Sequence, residues 1–173
     1  MLHLLTEQLH RLRVKAQHPW FPSGTRRMAM TIAAILKHKG SDVARVSPSD
    51  TVADVARTLG QRRIGAVLVM DSAEQLLGIV SERDIVRTLP EHGARTLEMT
   101  AAQIMTQELH TTTPKATVAE AMEQMTRRRV RHLPVLDGLR LVGLVSIGDI
   151  VKARIDQQEQ EVDSLKAYVA GAA

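Results

Sequence analysis

The chain contains one sequence pattern twice, and this internal repeat constrains its fold more than any other feature. Residues 46–71 align with residues 112–137 without a gap. After the loss of one residue, GIVSERDIV at 78–86 matches GLVSIGDIV at 143–151. Similar sequences form similar elements, so we expect two similar structural units in tandem, the first repeat and the second repeat.

The first half of each repeat predicts a short strand and an amphipathic helix. The strands are expected at 44–47 and 109–113. Thr51 and Thr117 are each followed three residues later by an acidic residue, which is the spacing of a helix capping box. The apolar residues that follow recur at i, i+3, i+4 and i+7, the pattern of one buried helix face. They are Val52, Val55, Ala56 and Leu59 in the first repeat and Val118, Ala121, Met122 and Met125 in the second.

The second half of each repeat predicts a β-hairpin and a further helix. Short apolar runs bounded by polar turn residues predict the strands 65–70 and 76–80, and in the second repeat 132–136 and 141–145. A helix then begins after Ser81 and after Ser146. The predicted fold is therefore α/β (α+β), with two tandem β-α-β-β-α repeats.

The segments GIVSERD and GLVSIGD, together with the strand RHLPVLD of the second repeat, closely resemble the CBS-domain family. The resemblance covers about residues 31–155. It implies a stand-alone signal-transduction protein with a CBS pair, or Bateman module, whose two repeats pack as a pseudo-symmetric pair. Such pairs have two clefts that commonly hold AMP, ATP or NAD. We therefore expect a regulatory module with an adenine nucleotide as its ligand.

Sequence signs of catalysis are absent from the chain. It has no Ser–His–acid signature, no phosphate-binding P-loop and no glycine-rich dinucleotide motif. The histidines outside the RHLPVLD strand show no metal-ligand spacing. We therefore predict that the protein is not an enzyme and has no catalytic cofactor and no metal site.

The two Ser-x-x-Asp motifs have two interpretations. Ser81 with Asp84, and Ser146 with Asp149, show the spacing of a helix N-terminal cap, which alone would explain them. In the family that the chain resembles, this Asp accepts hydrogen bonds from ribose hydroxyls, a role that suits an ionised carboxylate. We expect both roles at once.

Basic residues distinguish the two repeats. Arginine presents a planar set of donors that matches phosphate oxygens, and the resemblance makes Arg83, Arg131 and His132 candidate phosphate ligands. Arg127 and Arg128 are assigned to a solvated helix end instead. The repeats differ at these positions, so the two clefts are not equivalent. The candidate ligand-binding residues are Ser47, Ile64, Gly65, Ala66, Ser81, Arg83, Asp84, Thr112, Thr113, Arg131, His132, Leu133, Pro134, Ser146 and Asp149.

Charge and composition define the ends of the chain. Residues 1–30 contain five basic side chains and one acidic side chain, which account for the net charge of +4. We expect this segment to be a poorly ordered basic extension; a partner-binding or membrane-surface segment is the alternative. Residues 31–95 and 96–155 form the two CBS domains, and residues 156–173 form a helical tail.

The tail also predicts self-association. Ile155, Val162 and Val169 stand seven residues apart, with Val151, Gln158 and Leu165 in the other seam position, as in a short coiled coil. This seam could pair two chains or pack on its own domain. We expect a homodimer and an unidentified downstream protein partner.

Composition bears on location and on other functions. The chain lacks cysteine and a membrane-spanning apolar run, and we predict a cytoplasmic protein without membrane contact. Aromatics make up only 2%, and the charge outside 1–30 is balanced, which argues against nucleic-acid binding by the folded body. Two alternatives stay open: a scaffold with the same fold and no physiological ligand, and nucleic-acid binding through the basic N-terminal extension.

Overall fold

The structure, a computed structural model, describes residues 30–171. The N-terminal extension lies outside the described residues except for Met30. The elements are α1 (Ile32–Lys39), β1 (Arg45–Val46), α2 (Val52–Arg62), β2 (Ala66–Met70), β3 (Leu76–Ser81), α3 (Glu82–His92), a 3₁₀-helix (Gly93–Glu98), α4 (Ala101–Ile104), α5 (Val118–Arg128), β4 (His132–Asp137), β5 (Arg140–Ser146) and α6 (Ile147–Gly171).

Each repeat contains a small sheet against which helices of that repeat pack. In the first repeat β1 pairs parallel with β2, and β2 pairs antiparallel with β3. In the second repeat β4 and β5 form the equivalent hairpin. The predicted α/β fold with two similar units is confirmed. The tail predicted at 156–173 continues α6, which runs without interruption as far as Gly171.

The first predicted strand of the second repeat is reduced to a single bridge. Thr112 donates its N–H to the carbonyl of Pro134 and accepts from the N–H of Leu136, both at 2.9 Å. In the first repeat the matching ladder extends because Leu68 donates to the carbonyl of Ala44 at 3.0 Å. Pro134 stands at the position of Leu68 and has no N–H to donate. The expectation of a strand at 109–113 was therefore wrong for this physical reason.

Capping residues begin the first helix of each repeat as predicted. The side chain of Thr51 accepts the N–H of Asp54, and that of Thr117 accepts the N–H of Glu120. The predicted apolar stripes face two separate clusters of buried side chains. Their buried members are Val52, Val55 and Leu59 in α2, and Val118, Ala121 and Met125 in α5.

The segment that precedes each repeat packs on the other repeat. We name residues 30–39 and 99–106 the lead-in segments. Ile32 and Ile35 of the first lead-in are buried in the core of the second repeat, whereas Ala101 and Ile104 of the second lead-in are buried in the core of the first. The two repeats therefore complete each other's cores. The domain boundaries predicted at 31–95 and 96–155 follow the order of the chain and so place each lead-in with the repeat that it precedes.

Matching backbone hydrogen bonds fix this exchange. In one half, Ile32 donates to the carbonyl of Ala116 at 2.8 Å, and Val118 donates to that of Met30 at 2.9 Å. In the other half, Ala101 donates to Asp50 and Val52 donates to Met99, both at 2.8 Å. The common sequence Met-Thr at 30–31 and 99–100 marks the two equivalent lead-ins.

Two glycines allow the lead-ins to approach the hairpins. A Cβ atom at Gly78 would lie 2.8 Å from the Sδ atom of Met105 and 2.9 Å from the carbonyl oxygen of Thr106. At the matching Gly143, a Cβ atom would lie 2.7 Å from a methyl carbon of Leu36. A side chain at Gly78 would therefore push against backbone, while one at Gly143 meets the end of a flexible side chain.

We predict that Gly78→Ala lowers the free energy of unfolding by about 1–3 kcal/mol, because the added methyl group overpacks this contact. Gly60→Ala is the matched control, since Gly60 lies inside α2 with open space around its Cα. That variant should gain about 0.5–1 kcal/mol from its lower unfolded-state entropy. Chemical denaturation measures both values, and equal effects of the two substitutions would contradict the close approach.

Candidate functional site

Both Ser-x-x-Asp motifs form the caps that their spacing predicts. Asp84 accepts at Oδ2 from the backbone N–H of Ser81 at 2.8 Å and from its hydroxyl at 2.6 Å. Asp149 accepts at Oδ2 from the N–H of Ser146 at 2.7 Å and from its hydroxyl at 2.8 Å. In both carboxylates the cap uses Oδ2, so Oδ1 is left outside it. The cap holds each carboxylate at a helix N-terminus, where the helix dipole favours negative charge.

Backbone bonds bring the other candidate residues to these caps. Glu82 donates its N–H to the carbonyl of Gly65 at 3.1 Å, and Ile147 donates to that of Arg131 at 2.8 Å. The antiparallel registers place Ala66 opposite Ser81, and His132 opposite Ser146.

The two sites meet across the interface between the repeats. A Cβ atom at Gly65 would lie 3.3 Å from both Cε1 and Nε2 of His132. Arg83 of the first repeat donates from its guanidinium to the carbonyl of Arg129 in the second, at 3.2 Å. The candidates Gly65, Arg83 and His132 therefore belong to one shared region of the interface.

A lysine occupies the second site. Lys39, at the end of α1, donates from Nζ to Oδ2 of Asp149 at 2.6 Å and to the carbonyl of Leu144 at 3.2 Å. Burial would raise the pKa of Asp149, but the hydrogen bonds from Lys39 and Ser146 hold that pKa below its ordinary value. At the equivalent Asp84, Oδ1 accepts from the hydroxyl of Thr106 at 3.3 Å. The two sites thus differ by a positive charge.

Burial and neighbouring positive charges favour the neutral form of His132. Burial lowers the pKa of His132, and the positive charges of Arg131 and Lys39 lower it further. The carboxylates of Asp149 and Glu82 oppose this shift without reversing it. A neutral imidazole donates at one nitrogen and accepts at the other, so His132 offers a ligand both kinds of hydrogen bond.

The remaining candidates lie at other places in the fold. Ser47 caps a turn, donating its N–H to Oδ2 of Asp50 at 2.8 Å. Thr112 and Thr113 border a polar cavity of about 570 Å³ beside α5. Leu133 and Pro134 are buried within β4, and Ile64 is half-buried just before β2. None of the hydrogen bonds described above connects these residues to either aspartate.

Sequence reasoning missed Lys39, Glu82 and Thr106. Two of them reach the sites from the lead-in segments, which join the opposite repeat. The signal that could have revealed this is the recurrence of Met-Thr at 30–31 and 99–100. That recurrence would have predicted a structural role for both lead-ins.

Comparison with known proteins agrees with this architecture. The profile of the CBS domain matches the chain twice, at residues 37–91 and 101–156. The mitochondrial CBS domain-containing protein CBSX3 of Arabidopsis thaliana is 36% identical over 149 residues, which are 82% of this chain and 72% of that protein. The chain belongs to the CBS-domain family. The predicted CBS pair is confirmed.

Solved structures of CBS proteins share this fold. The CBS-domain containing protein ATU1752 from Agrobacterium tumefaciens is 38% identical, with a TM-score of 0.72 over 77% of this chain and 99% of that chain. The CBS domain pair of protein MJ0100, solved with 5′-methylthioadenosine and S-adenosyl-L-methionine, is 22% identical. Its TM-score is 0.66, over 75% of this chain and 98% of that chain, and this likeness concerns the fold.

Two further findings concern the described part of the CBS pair. Between residues 30 and 171, no helix combines the length and the apolar character needed to cross a membrane. Over the same residues, no group of three or more His, Asp and Glu side chains is placed to hold a metal ion.

We predict that Asp149→Asn lowers the free energy of unfolding at neutral pH by about 0.5–2 kcal/mol, the range of a lost helix cap. Because folding lowers the pKa of Asp149, its contribution is present above the unfolded pKa and is lost as the pH falls through the folded pKa. The difference between variant and parent should therefore shrink on acidification. Urea denaturation at neutral and acidic pH measures it.

Glu159→Gln is the control, since Glu159 is an exposed residue of α6. It should leave the stability of the parent unchanged at neutral pH. A loss in Asp149→Asn that stays constant over the whole pH range would contradict the ionised cap.

Proposed function

We propose that this CBS pair is a regulatory module that binds an adenine nucleotide, of the AMP, ATP or NAD type, between its two repeats. Binding changes the shape or stability of the pair, and a further protein responds to that change. The module carries out no catalysis. A cytoplasmic location stays a prediction from the sequence.

The observation that carries this proposal is the pair of anchored carboxylates. Asp84 and Asp149 are each fixed through Oδ2 at a helix N-terminus. Each Oδ1 lies outside the cap, and an ionised carboxylate accepts hydrogen bonds from vicinal hydroxyls such as those of ribose. The complex of the MJ0100 CBS pair with two adenosine-containing compounds supports the same ligand class.

Neighbouring candidates supply the other contacts in this proposal. Gly65 and the buried Ala66 lie beside Ser81, and the imidazole of His132 lies against Gly65. Arg83, Arg131 and His132 supply donors for phosphate oxygens. Ser47, Ile64, Thr112, Thr113, Leu133 and Pro134 complete the proposed lining as predicted from the family resemblance.

We predict that AMP, ADP, ATP, NAD or S-adenosylmethionine raises the melting temperature of the protein. A ligand that binds only the native state stabilises it by about 2.7 kcal/mol at about 100 times its dissociation constant. Asp84→Ala and Asp149→Ala should weaken binding roughly ten-fold or more, since a hydrogen bond to a charged group contributes about 1.5–3 kcal/mol. Thermal melting and calorimetric titration measure these effects.

Each outcome separates one alternative function from the proposal. Melting curves unchanged by all five compounds at millimolar concentration would favour the scaffold without a ligand. Parent-like binding by both aspartate variants would reduce the two motifs to helix caps. Salt-sensitive binding of nucleic acid that disappears on deletion of residues 1–30 would favour nucleic-acid binding through the basic N-terminal extension.

We also propose that two chains associate through α3 and α6. Val86 of α3 and Val151 of α6 occupy equivalent positions and are 61% and 45% exposed. Exposed apolar side chains continue along the tail at Val162, Leu165 and Val169. Within residues 30–171 this seam therefore does not pack on its own domain. Exposed apolar side chains at heptad spacing along one helix are typical of a helix–helix interface.

We predict that truncation after Ile155 weakens the dimer without abolishing it, because a seam of about two heptads is too short to hold two chains alone. Val86→Asp should dissociate the dimer by placing a charge in the core of the interface. Arg87→Ala, a change at the next, exposed position, is the control. Light scattering measures the assembly, and a full-length monomer at micromolar concentration, with and without nucleotide, would contradict it.

A further inference from the structure

Lys39 reaches Asp149 from a helix that belongs, by its contacts, to the second repeat. Ile32 and Ile35 anchor α1 in the core of that repeat. The helix ends at Gly40, whose φ of 90° is accessible to glycine, and the chain then returns to the first repeat. The backbone that carries Lys39 is therefore fixed, while its flexible side chain is free to exchange partners.

The ammonium group is paired with the carboxylate that a ribose would use, although at Oδ2 and not at the proposed ribose acceptor Oδ1. Its Nζ atom lies 2.6 Å from Oδ2 of Asp149, and the two side chains are 39% and 22% exposed. A ribose hydroxyl that approaches this carboxylate competes with Lys39 for the negative charge of Asp149. A partly exposed cation that loses the carboxylate with which it pairs within residues 30–171 is left without that charge interaction unless another anion replaces it.

The surroundings of Lys39 supply more positive charge. The positive charge of Arg131 acts on His132 together with that of Lys39, and both favour the neutral form of His132. At the equivalent first site, Asp84 is met by the hydroxyl of Thr106 in place of an ammonium group. A displaced ammonium, together with the positive charge of Arg131 that acts on the same imidazole, favours a ligand that carries negative charge, whereas at Asp84 the hydroxyl of Thr106 carries no charge to be neutralised.

We propose that Lys39 makes the Asp149 site selective for phosphorylated adenine nucleotides over uncharged adenosine. This inference rests on the proposed function. The ribose takes over Asp149, and the released ammonium of Lys39 pairs with the phosphate of the nucleotide. Adenosine breaks the same ion pair and returns no anion to Lys39. Lys39 is thus a specificity-determining residue delivered by the lead-in of the first repeat.

The test compares AMP with adenosine, which differ only by the phosphate, in calorimetric titrations of the Asp84→Ala protein. This background reports the Asp149 site. AMP should bind at least about ten-fold more tightly than adenosine, and Lys39→Met should reduce that preference about ten-fold, or about 1.4 kcal/mol. Most of the change should be tighter binding of adenosine, which no longer displaces an ammonium group, whereas AMP exchanges one anionic partner of Lys39 for another and should bind about as tightly to Lys39→Met.

Lys37→Met is the matched control, because Lys37 is an exposed residue of the same helix. It should keep the parental preference. Lys39→Arg should retain most of the preference, since it keeps the positive charge. Added salt should narrow the preference in the parent and change it little in Lys39→Met, because ions screen the charged contact.

The outcomes separate this inference from the proposed function. An unchanged preference in Lys39→Met, with AMP binding that still depends on Asp149, would overturn the role of Lys39 and leave the proposed function standing. AMP binding no tighter than adenosine binding in the parent would also overturn it. A parent protein that binds neither probe, nor any of the five compounds of the melting screen, would overturn both.

Discussion

The exchange of lead-in segments between the two repeats is the constraint on which the rest of the structure depends. Ile32 and Ala101 each donate a backbone hydrogen bond to the opposite repeat, at 2.8 Å in both cases. Neighbouring apolar side chains fill the core on that side. A repeat without the other's lead-in would lose part of its core and expose backbone donors and acceptors, which is costly. The CBS pair is therefore one structural unit.

The same exchange determines the chemistry of the candidate site. Each lead-in carries a polar side chain to the aspartate of the opposite repeat: Lys39 to Asp149, and Thr106 to Asp84. An ammonium group and a hydroxyl group differ by a full charge, so two sites with similar caps acquire different electrostatics. The pseudo-symmetry of the pair thus gives two sites with similar backbone and caps, and the side chains from the lead-ins make the two sites chemically different. Under the proposed function, the two sites of the pair therefore differ in ligand preference.

Most of the fold could be predicted from the sequence because the pattern for each element occurs in both repeats. Capping threonines, apolar stripes and hairpins are all indicated by residue types that recur at a fixed spacing along the sequence. The strand expected at 109–113 does not form because of Pro134, which lies in the strand with which it would pair. Lys39 was missed because its partner lies 110 residues away. Local patterns indicate caps and faces, whereas contacts between the repeats depend on packing.

Native-state hydrogen exchange shows whether the two repeats unfold as one unit, because it measures the opening free energy of individual amides. The amides of Ile32 and Val118 report the second repeat's core, and those of Ala101 and Val52 report the first. If the repeats complete each other, all four amides exchange through one global opening with the same free energy and the same response to denaturant. Two distinct free energies, one for each repeat, would mean that the repeats unfold independently and do not complete each other's cores.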